Sequence, residues 1–320
     1  MEQLIDPFGR KIDYLRISVT DRCNYRCVYC MPLEGVPFKD MSEILTYEEI
    51  VLFAKASYDL GVRKIKLTGG EPLVRKHIYR LIKMLKDIGY SDISLTTNGS
   101  LLKHYAQLLK ESGLNRVTVS LDTLDKDKFR SITRLGNLDD VMSGFDELDK
   151  AGFTNTKINS VIMRTYNIEC IENLLNFAIS RNYEIRFIEY MPTDFNENFK
   201  ENFVSIDEIK SIIKNKHSLR QTSYKTNGPS QYCEIENTRV GFITPLSHNF
   251  CAFCNRIRLS SDGNLILCLG HDIKINFKDV LKQKDLEQIK ELLKKSITKK
   301  PKQHQLLTTN IHQSFSNIGG

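Results

Sequence analysis

The 320-residue sequence has no apolar run approaching the roughly 18 residues that a membrane span requires. Residues 1–6 carry acidic side chains and no apolar core of the kind that a secretion signal has. Internal repeats and long low-complexity segments are also absent, which excludes a repeat architecture. We therefore expect a cytoplasmic globular protein with ordinary proportions of apolar residues (41%) and charged residues (27%).

The missing secretion signal also bears on the eight cysteines, because disulfides form mainly in secreted chains. Six of the cysteines fall into two tight clusters, and this distribution favours metal ligation in a reducing compartment. Cys170 and Cys233 stand alone and are predicted to be small buried apolar residues. The net charge of +7 is a mild excess that suggests an anionic ligand.

The first cluster places Cys23, Cys27 and Cys30 within eight residues. Thiols this close on one short loop cannot all reach disulfide geometry. They are also one ligand short of a tetrahedral zinc site, and no histidine lies beside them. Three thiolates suit a four-iron cluster in which one iron lacks a protein ligand. A purely structural metal knuckle is the alternative.

The chain around this cluster alternates between strand and helix patterns up to about residue 200. Such alternation predicts right-handed βαβ units around a parallel sheet, here a partial (β/α)6 TIM-type barrel. An open doubly wound sheet has the same local pattern. The predicted strands are 14–19, 64–68, 93–97, 116–121, 156–162 and 184–190; the predicted helices are 47–60, 77–88, 101–112, one or two within 126–150, and 168–179.

This alternation of strand and helix patterns ends at about residue 202. A helix at 206–213 and short strands near Cys233 and Val240 predict a smaller C-terminal α+β extension. The predicted division is therefore a barrel over residues 1–200 and a second region over 201–320, with a basic tail. Within that tail, residues 294–302 are predicted to be a solvated helix end and linker.

The predicted strands alternate polar and apolar residues, although buried parallel strands are usually apolar throughout. The polar face carries the four cations Arg16, Lys66, Lys157 and Arg186. We infer a wet barrel interior lined by these cations, which would need an anion because buried unpaired charges are costly. Alternatively, individual cations lie at strand ends and reach solvent.

The second cluster comprises Cys251, Cys254 and Cys268. Zinc is the main alternative here, because His248 or His271 could complete a Cys3His site. The first cluster favours a second iron–sulfur centre instead. Arg256 and Arg258 follow directly and, two apart on a strand, would face the same way and grip phosphates with forked donors.

The Cys-x3-Cys-x2-Cys spacing resembles the radical S-adenosylmethionine (radical SAM) enzymes. That resemblance implies that the open iron chelates the amino acid end of SAM, and that Gly69-Gly70-Glu71-Pro72 contacts its amino group. It further implies that Ser120 holds the ribose or carboxylate. It also places Tyr29, Asn98 and Met191 near the adenine or another part of the cofactor. Thr96 would lie near both the substrate and the cofactor.

The stretch Cys-x2-Cys-Asn-Arg-Ile-Arg-Leu-Ser-Ser-Asp-Gly, with Cys268 and the terminal Gly319-Gly320, is similar to the GTP 3′,8-cyclases that begin molybdenum cofactor biosynthesis. This resemblance implies two [4Fe-4S] clusters, one on each cysteine triad, with guanine at the open iron of the second. Relatives often have arginine at the position of Lys66. Lysine keeps the positive charge of arginine but lacks its forked set of donors. The implied GTP contacts are Arg16, Lys66, Thr96, Lys157, Arg186, Arg256 and Arg258, and the implied catalytic residues are Arg256, Arg258, Gly319 and Gly320.

By the same resemblance, a 5′-deoxyadenosyl radical takes hydrogen from C3′ of GTP, and C3′ then bonds to C8 of guanine. The implied partners are GTP, SAM, an unidentified electron donor and a downstream cyclic pyranopterin monophosphate synthase, with a homodimer possible and neither nucleic acid nor membrane expected. A peptide-modifying radical SAM maturase with an auxiliary cluster is the nearer alternative. A zinc-bearing nucleic-acid-binding protein is the more distant one.

Overall fold

The structure is a computed structural model that describes residues 2–193, 198–226, 228–306 and 318. All six predicted strands are present, with ends within two residues of those expected, and helices follow them as predicted. The strands are β1 Tyr14–Ser18, β2 Lys64–Thr68, β3 Asp92–Thr97, β4 Arg116–Ser120, β5 Lys157–Ile162 and β6 Glu184–Glu189. The helices are α1 Tyr47–Asp59, α2 Ile78–Ile88, α3 Leu102–Glu111, α4 Lys126–Thr133, α5 Leu138–Lys150 and α6 Ile171–Ser180.

The second region contributes its strands to the same sheet. Strand β9 (Thr238–Ile243) pairs in parallel with β6, and β10 (Arg256–Leu259) pairs in parallel with β1, so that the C-terminal part extends both edges of the β1–β6 sheet. The partial-barrel prediction is confirmed, and the short strands expected near residues 233 and 240 are β8 (Gln231–Ile235) and β9. The remaining elements are α7 Phe199–Asn202, α8 Ile206–Lys214, β7 Arg220–Gln221, β8 Gln231–Ile235, β9 Thr238–Ile243, β10 Arg256–Leu259, β11 Asn264–Ile266, β12 Lys274–Asn276, α9 Lys278–Gln283 and α10 Leu286–Ile297.

Helix ends follow local sequence. Thr46 and Glu49 form a reciprocal capping box at the start of α1, because each side chain accepts a hydrogen bond from the other's backbone N–H. Gly89 ends α2 with a φ of 114°, a conformation that favours glycine. Each helix carries the chain back across the sheet, so that successive strands run parallel.

Strand alternation separates an apolar outer face from a polar inner face. Leu15, Ile65 and Val117 are fully buried against the helices. On the other face, Lys66 and Arg186 are also buried although they are charged. The polar inner face predicted from the sequence is therefore confirmed. Within the described ranges, no helix combines the length and apolar character that a membrane crossing requires.

The prediction of a solvated helix end and linker over residues 294–302 holds in part. α10 ends at Ile297 within this stretch, but Lys300 is buried, with only 3% of its surface exposed. Its Nζ donates hydrogen bonds to the carbonyls of Arg256 (2.9 Å) and Leu267. The burial of Lys300 could not be predicted from this lysine-rich stretch, since its neighbours Lys295 and Lys299 are exposed.

Candidate active site

The first cysteine loop follows β1 and is held by backbone hydrogen bonds to the end of α4. Arg26 N donates to Thr133 O (3.0 Å), and Val28 N donates to Ile132 O (2.9 Å). Within the loop, Tyr25 N donates to the Cys23 sulfur at 3.4 Å. Cys23, Cys27 and Cys30 together line one wall of a cavity at the carboxyl ends of the strands.

The donor set of this wall fits an iron–sulfur cluster. Three thiols face one cavity, and burial raises the pKa of Cys23 to about 11 and that of Cys27 well above its usual value. Bare thiolates are therefore unfavourable here without a compensating metal charge. Among the described residues, no three His, Cys, Asp or Glu side chains gather around a single metal ion. In a four-iron cluster, each of the three sulfurs would bind a different iron.

The Gly69-Gly70 pair lies tightly against the start of the cysteine loop. A Cβ on Gly69 would be 2.4 Å from the Thr20 carbonyl oxygen, and one on Gly70 would be 2.2 Å from that of Arg22. Gly70 N donates to Thr20 O at 2.8 Å. This close approach to residues 20–22 fixes the cysteine loop relative to β2.

Glu71 is buried in the first cavity and accepts three hydrogen bonds. These come from the Leu73 N–H (3.0 Å), the Thr97 hydroxyl (2.7 Å) and the Asn98 N–H (2.7 Å). Burial nevertheless raises the pKa of Glu71 to about 7, because these donors offset only part of the desolvation cost. A ligand ammonium group would restore the ionised carboxylate.

Every residue predicted to bind SAM lines this first cavity. Most of them lie at the carboxyl ends of the parallel strands, where ligands of such folds bind. The predicted set that the structure brings together here is Tyr29, Gly70, Glu71, Asn98, Ser120 and Met191. Their contacts to SAM remain predictions.

Sequence reasoning missed Asp122 and Glu189 in the same cavity. Asp122 accepts hydrogen bonds from the Tyr29 hydroxyl (2.8 Å) and from Val161 N (2.8 Å). Burial raises the pKa of Asp122 to about 6. Strand parity is the signal that could find Asp122, because it follows Ser120 by two positions on the polar face.

A second cavity lies deeper in the barrel and is lined by the second cysteine triad. It adjoins the first cavity, because the two share the wall residues Thr96, Asn159, Ile188 and Met191. The predicted residues that line it are Arg16, Lys66, Thr96, Arg186, Arg256, Arg258, Cys251, Cys254 and Cys268.

The cations of the second cavity form a row across neighbouring strands. Arg16 of β1 is in register with Lys66 of β2 on one side and with Arg258 of β10 on the other. Like charges in directly opposed positions repel one another. Burial lowers the pKa of Arg16 to about 10, with contributions from Arg256 and Arg186. Burial, with Arg186 and Arg16 adding to it, also lowers the pKa of Lys66 well below its usual value.

Lys157 is placed differently from the other predicted GTP contacts. It lines a smaller cavity nearer the amino ends of the strands, together with Lys66 and Arg186. Its ammonium pairs with the carboxylate of Glu184, the residue in register with it on β6. The role of Lys157 toward GTP stays a prediction, and Glu184 already neutralises part of its charge.

The second triad differs electrostatically from the first. Burial opposes the Cys254 thiolate, but Arg256 and Lys300 outweigh it and lower the pKa of Cys254 to about 7. The two histidines considered as zinc ligands are engaged elsewhere: His248 Nε2 lies 3.1 Å from Asp207, and His271 Nε2 lies 2.8 Å from the Gln303 carbonyl. Three sulfur donors beside buried cations suit an anionic iron–sulfur cluster.

Gly319 and Gly320 lie outside the described residues. Nearby in sequence, the Ile318 carbonyl accepts a hydrogen bond from Arg258 Nη1 at 3.4 Å. The catalytic role of the double glycine stays a prediction.

A parallel half-barrel with three cysteines after its first strand, beside a cavity at the strand ends, defines a radical SAM protein. The family model of the radical SAM superfamily matches residues 17–178, and that of molybdenum cofactor synthesis C matches residues 183–306. Among solved structures, SuiB from Streptococcus suis bound to S-adenosylmethionine has a TM-score of 0.60 at 18% identity, over 90% of this chain and 69% of SuiB. Methylornithine synthase has a TM-score of 0.51, over 64% of this chain and 62% of that chain, also at 18% identity.

Sequence relatives define the family more narrowly. The GTP 3′,8-cyclase of Thermodesulfovibrio yellowstonii is 46% identical over 98% of this chain and 99% of its own length. Those of Petrotoga mobilis and Pseudomonas aeruginosa are each 42% identical, over 99% and 100% of this chain and all of their own lengths. The chain belongs to the GTP 3′,8-cyclase family.

Proposed function

We propose that the protein is a radical SAM GTP 3′,8-cyclase that converts GTP to (8S)-3′,8-cyclo-7,8-dihydroguanosine 5′-triphosphate, the first step of molybdenum cofactor biosynthesis. The observation that carries this proposal is the pair of adjoining cavities. One presents a cysteine triad and the predicted SAM residues, and the other presents a second triad and a row of buried cations. The names of the full-length relatives support it.

The two triads would each hold a [4Fe-4S] cluster, of which the first supplies the electron that cleaves SAM. Glu71 would bind the SAM amino group and Asn98 the neighbouring part of the cofactor. Thr96 and Met191, which line both cavities, would lie between cofactor and nucleotide. This arrangement would direct the ribose C3′ toward the 5′-carbon of SAM, because proximity and orientation are what the barrel can supply.

The cation row would bind the triphosphate. Arg256 and Arg258 project from one face of β10, and Arg258 is aligned with Arg16 of β1. Forked guanidinium donors match phosphate oxygens, and the phosphate charge would relieve the repulsion among the buried cations. A peptide-modifying maturase has no use for such a buried cation row, which is why we favour the nucleotide.

The remaining predictions from the sequence are parts of this proposal. A separate cyclic pyranopterin monophosphate synthase would consume the product, an electron donor would reduce the first cluster, and the protein would act in the cytoplasm, as a homodimer if it follows its family. We also keep the division into a barrel over residues 1–200 and a cluster-bearing region over residues 201–320.

The decisive experiment is an anaerobic reaction of the purified protein with GTP, SAM and a chemical reductant. We expect 5′-deoxyadenosine and the cyclised nucleotide in equal amounts. SAM cleavage that GTP neither stimulates nor couples to a cyclised product would contradict the proposal.

A further inference from the structure

The N-terminal arm contains a buried ion pair that the reaction chemistry does not use. Asp6 and Arg10 are 4% and 8% exposed, and Arg10 Nε lies 2.5 Å from Asp6 Oδ2. The Asp6 carboxylate also accepts from the backbone N–H groups of Phe8 (2.9 Å) and Arg10 (3.0 Å). This tight turn holds the guanidinium in one orientation before it meets the rest of the protein.

The other guanidinium nitrogens bind two distant segments. Arg10 Nη1 donates to Cys251 O at 2.7 Å and to Lys302 O at 2.9 Å, and Nη2 donates to Pro301 O at 2.6 Å. A single side chain therefore joins the N-terminal arm, the second cysteine loop and residues 301–302. Only a planar fork of several donors can make this set of bonds, because a lysine ammonium has a single donor atom.

Residues 300–306, which we call the C-terminal strap, lie against the second cysteine triad. His304 N donates to the Cys251 sulfur at 3.5 Å, and Gln305 N donates to Gly270 O at 3.2 Å. His304 and Leu306 line the second cavity. At the other end of the strap, the Lys300 ammonium bonds to the carbonyls of Arg256 and Leu267.

We infer that Arg10 is a positioning residue that fixes the C-terminal strap against the second cysteine loop, so that the strap forms one wall of the nucleotide cavity. The part of this inference that concerns GTP rests on the proposed function. The position of the strap can be tested without measuring any reaction. Arg10 does not line either large cavity, so its effect on substrate passes through the strap and Cys251.

Trypsin provides the first test. The Lys302–Gln303 bond has its carbonyl bound by Arg10, and residues 303–320 contain no lysine or arginine, so cleavage after Lys302 releases them as one peptide. Two variants are needed: Arg10→Lys, and the double variant Asp6→Asn with Arg10→Met. The second avoids leaving a buried carboxylate without its partner, which is the main cause of unfolding when one member of a buried pair is removed.

We expect both variants to release this peptide about tenfold faster than the parent protein, because a charge-assisted bond to the scissile carbonyl is lost. Lys299→Ala, an exposed position one residue before the strap, should leave the rate unchanged. Unaltered release from both Arg10 variants, with thermal unfolding still cooperative, would overturn the inference whether or not the protein cyclises GTP.

The second test concerns the nucleotide. In the Arg10 variants we expect the KM for GTP to rise about tenfold, with 5′-deoxyadenosine formation retained but less of it coupled to cyclised product. The iron bound by the first triad should be unaffected. A variant with faster peptide release and an unchanged KM would show that the strap does not form part of the GTP site, and would overturn that half of the inference.

Discussion

Replacing Lys66 with methionine should stabilise the protein without nucleotide and weaken its binding of GTP. Lys66 is 7% exposed, stands in register with Arg16, and makes one 3.3 Å hydrogen bond, to the Thr118 hydroxyl. Methionine has a similar length and removes the charge. The substitution therefore separates two effects of the positive charge. One is the stability that the charge costs without nucleotide, and the other is the binding free energy that it contributes when an anion is bound.

The magnitudes follow from the surroundings of Lys66. Two unit charges about 7 Å apart repel by about 2 kcal/mol at an effective dielectric constant of about 20. The lost hydrogen bond to Thr118 subtracts about 1 kcal/mol, so a net gain of about 1 kcal/mol is expected. For GTP, the loss of a hydrogen bond to a charged group, about 1.5–3 kcal/mol, predicts a Kd about 10 to 150 times higher.

The assay is anaerobic thermal unfolding with and without GTP, supported by calorimetric titration. We expect the unliganded variant to melt a few degrees higher, and the rise in Tm caused by GTP to shrink. Because the folded-state pKa of Lys66 is lowered, its protonation costs stability progressively as the pH falls, so the advantage of the variant should grow at lower pH.

Lys64→Met is the matched control on the same strand. Lys64 is only partly buried and lies 3.1 Å from Asp13, so its loss should not raise the Tm or affect GTP binding. A less stable Lys66→Met protein that still binds GTP normally would refute the reasoning about the cation row.

Three further predictions concern the cofactors and the substrate. Anaerobically purified protein should contain about eight irons in two four-iron clusters, and Cys268→Ala should lose about half of them while keeping the ability to cleave SAM; zinc without sulfide in either triad would contradict this. Arg256→Ala with Arg258→Ala should abolish cyclisation without lowering the iron content, and full activity would remove both from the site. SAM affinity should increase as the pH rises toward about 7, because Glu71 ionises over this range, and Glu71→Gln should flatten this dependence; an unchanged pH profile would exclude Glu71 as the ligand of the SAM amino group. Since folding raises the pKa of Glu71 from 4.5 to about 7, the unliganded protein should lose stability as the pH rises from about 4.5 to about 7 and lose no more above it, and the glutamine variant should not show this loss.

The sequence predicted the strands and the polar inner face well, because both depend on local alternation. Arg16, Lys66 and Arg186 could be assigned to one interior by parity alone, since successive side chains on a strand point to opposite faces. The same parity could not show that Lys157 meets Glu184, because that pairing depends on the register between β5 and β6.

Features that depend on contacts between distant segments were not predictable. Arg10 is separated from Cys251 by 241 positions, and nothing in its local sequence indicates burial. Lys300 lies in a lysine-rich stretch that resembles a solvated tail, yet it bonds to two carbonyls from the second cysteine region. The pairing of β10 with β1 likewise could not be read from the short pattern around residues 256–259.

The addition of β9 and β10 to opposite edges of the sheet has a consequence for synthesis of the chain. When the ribosome has completed β6, the outer edges of both β1 and β6 still lack their partners, and unpaired strand edges readily join other chains. The nascent half-barrel must therefore wait for residues 238–243 to cover the edge of β6 and for residues 256–259 to cover the edge of β1. A fragment ending near residue 200 should consequently aggregate rather than persist as a smaller version of the enzyme.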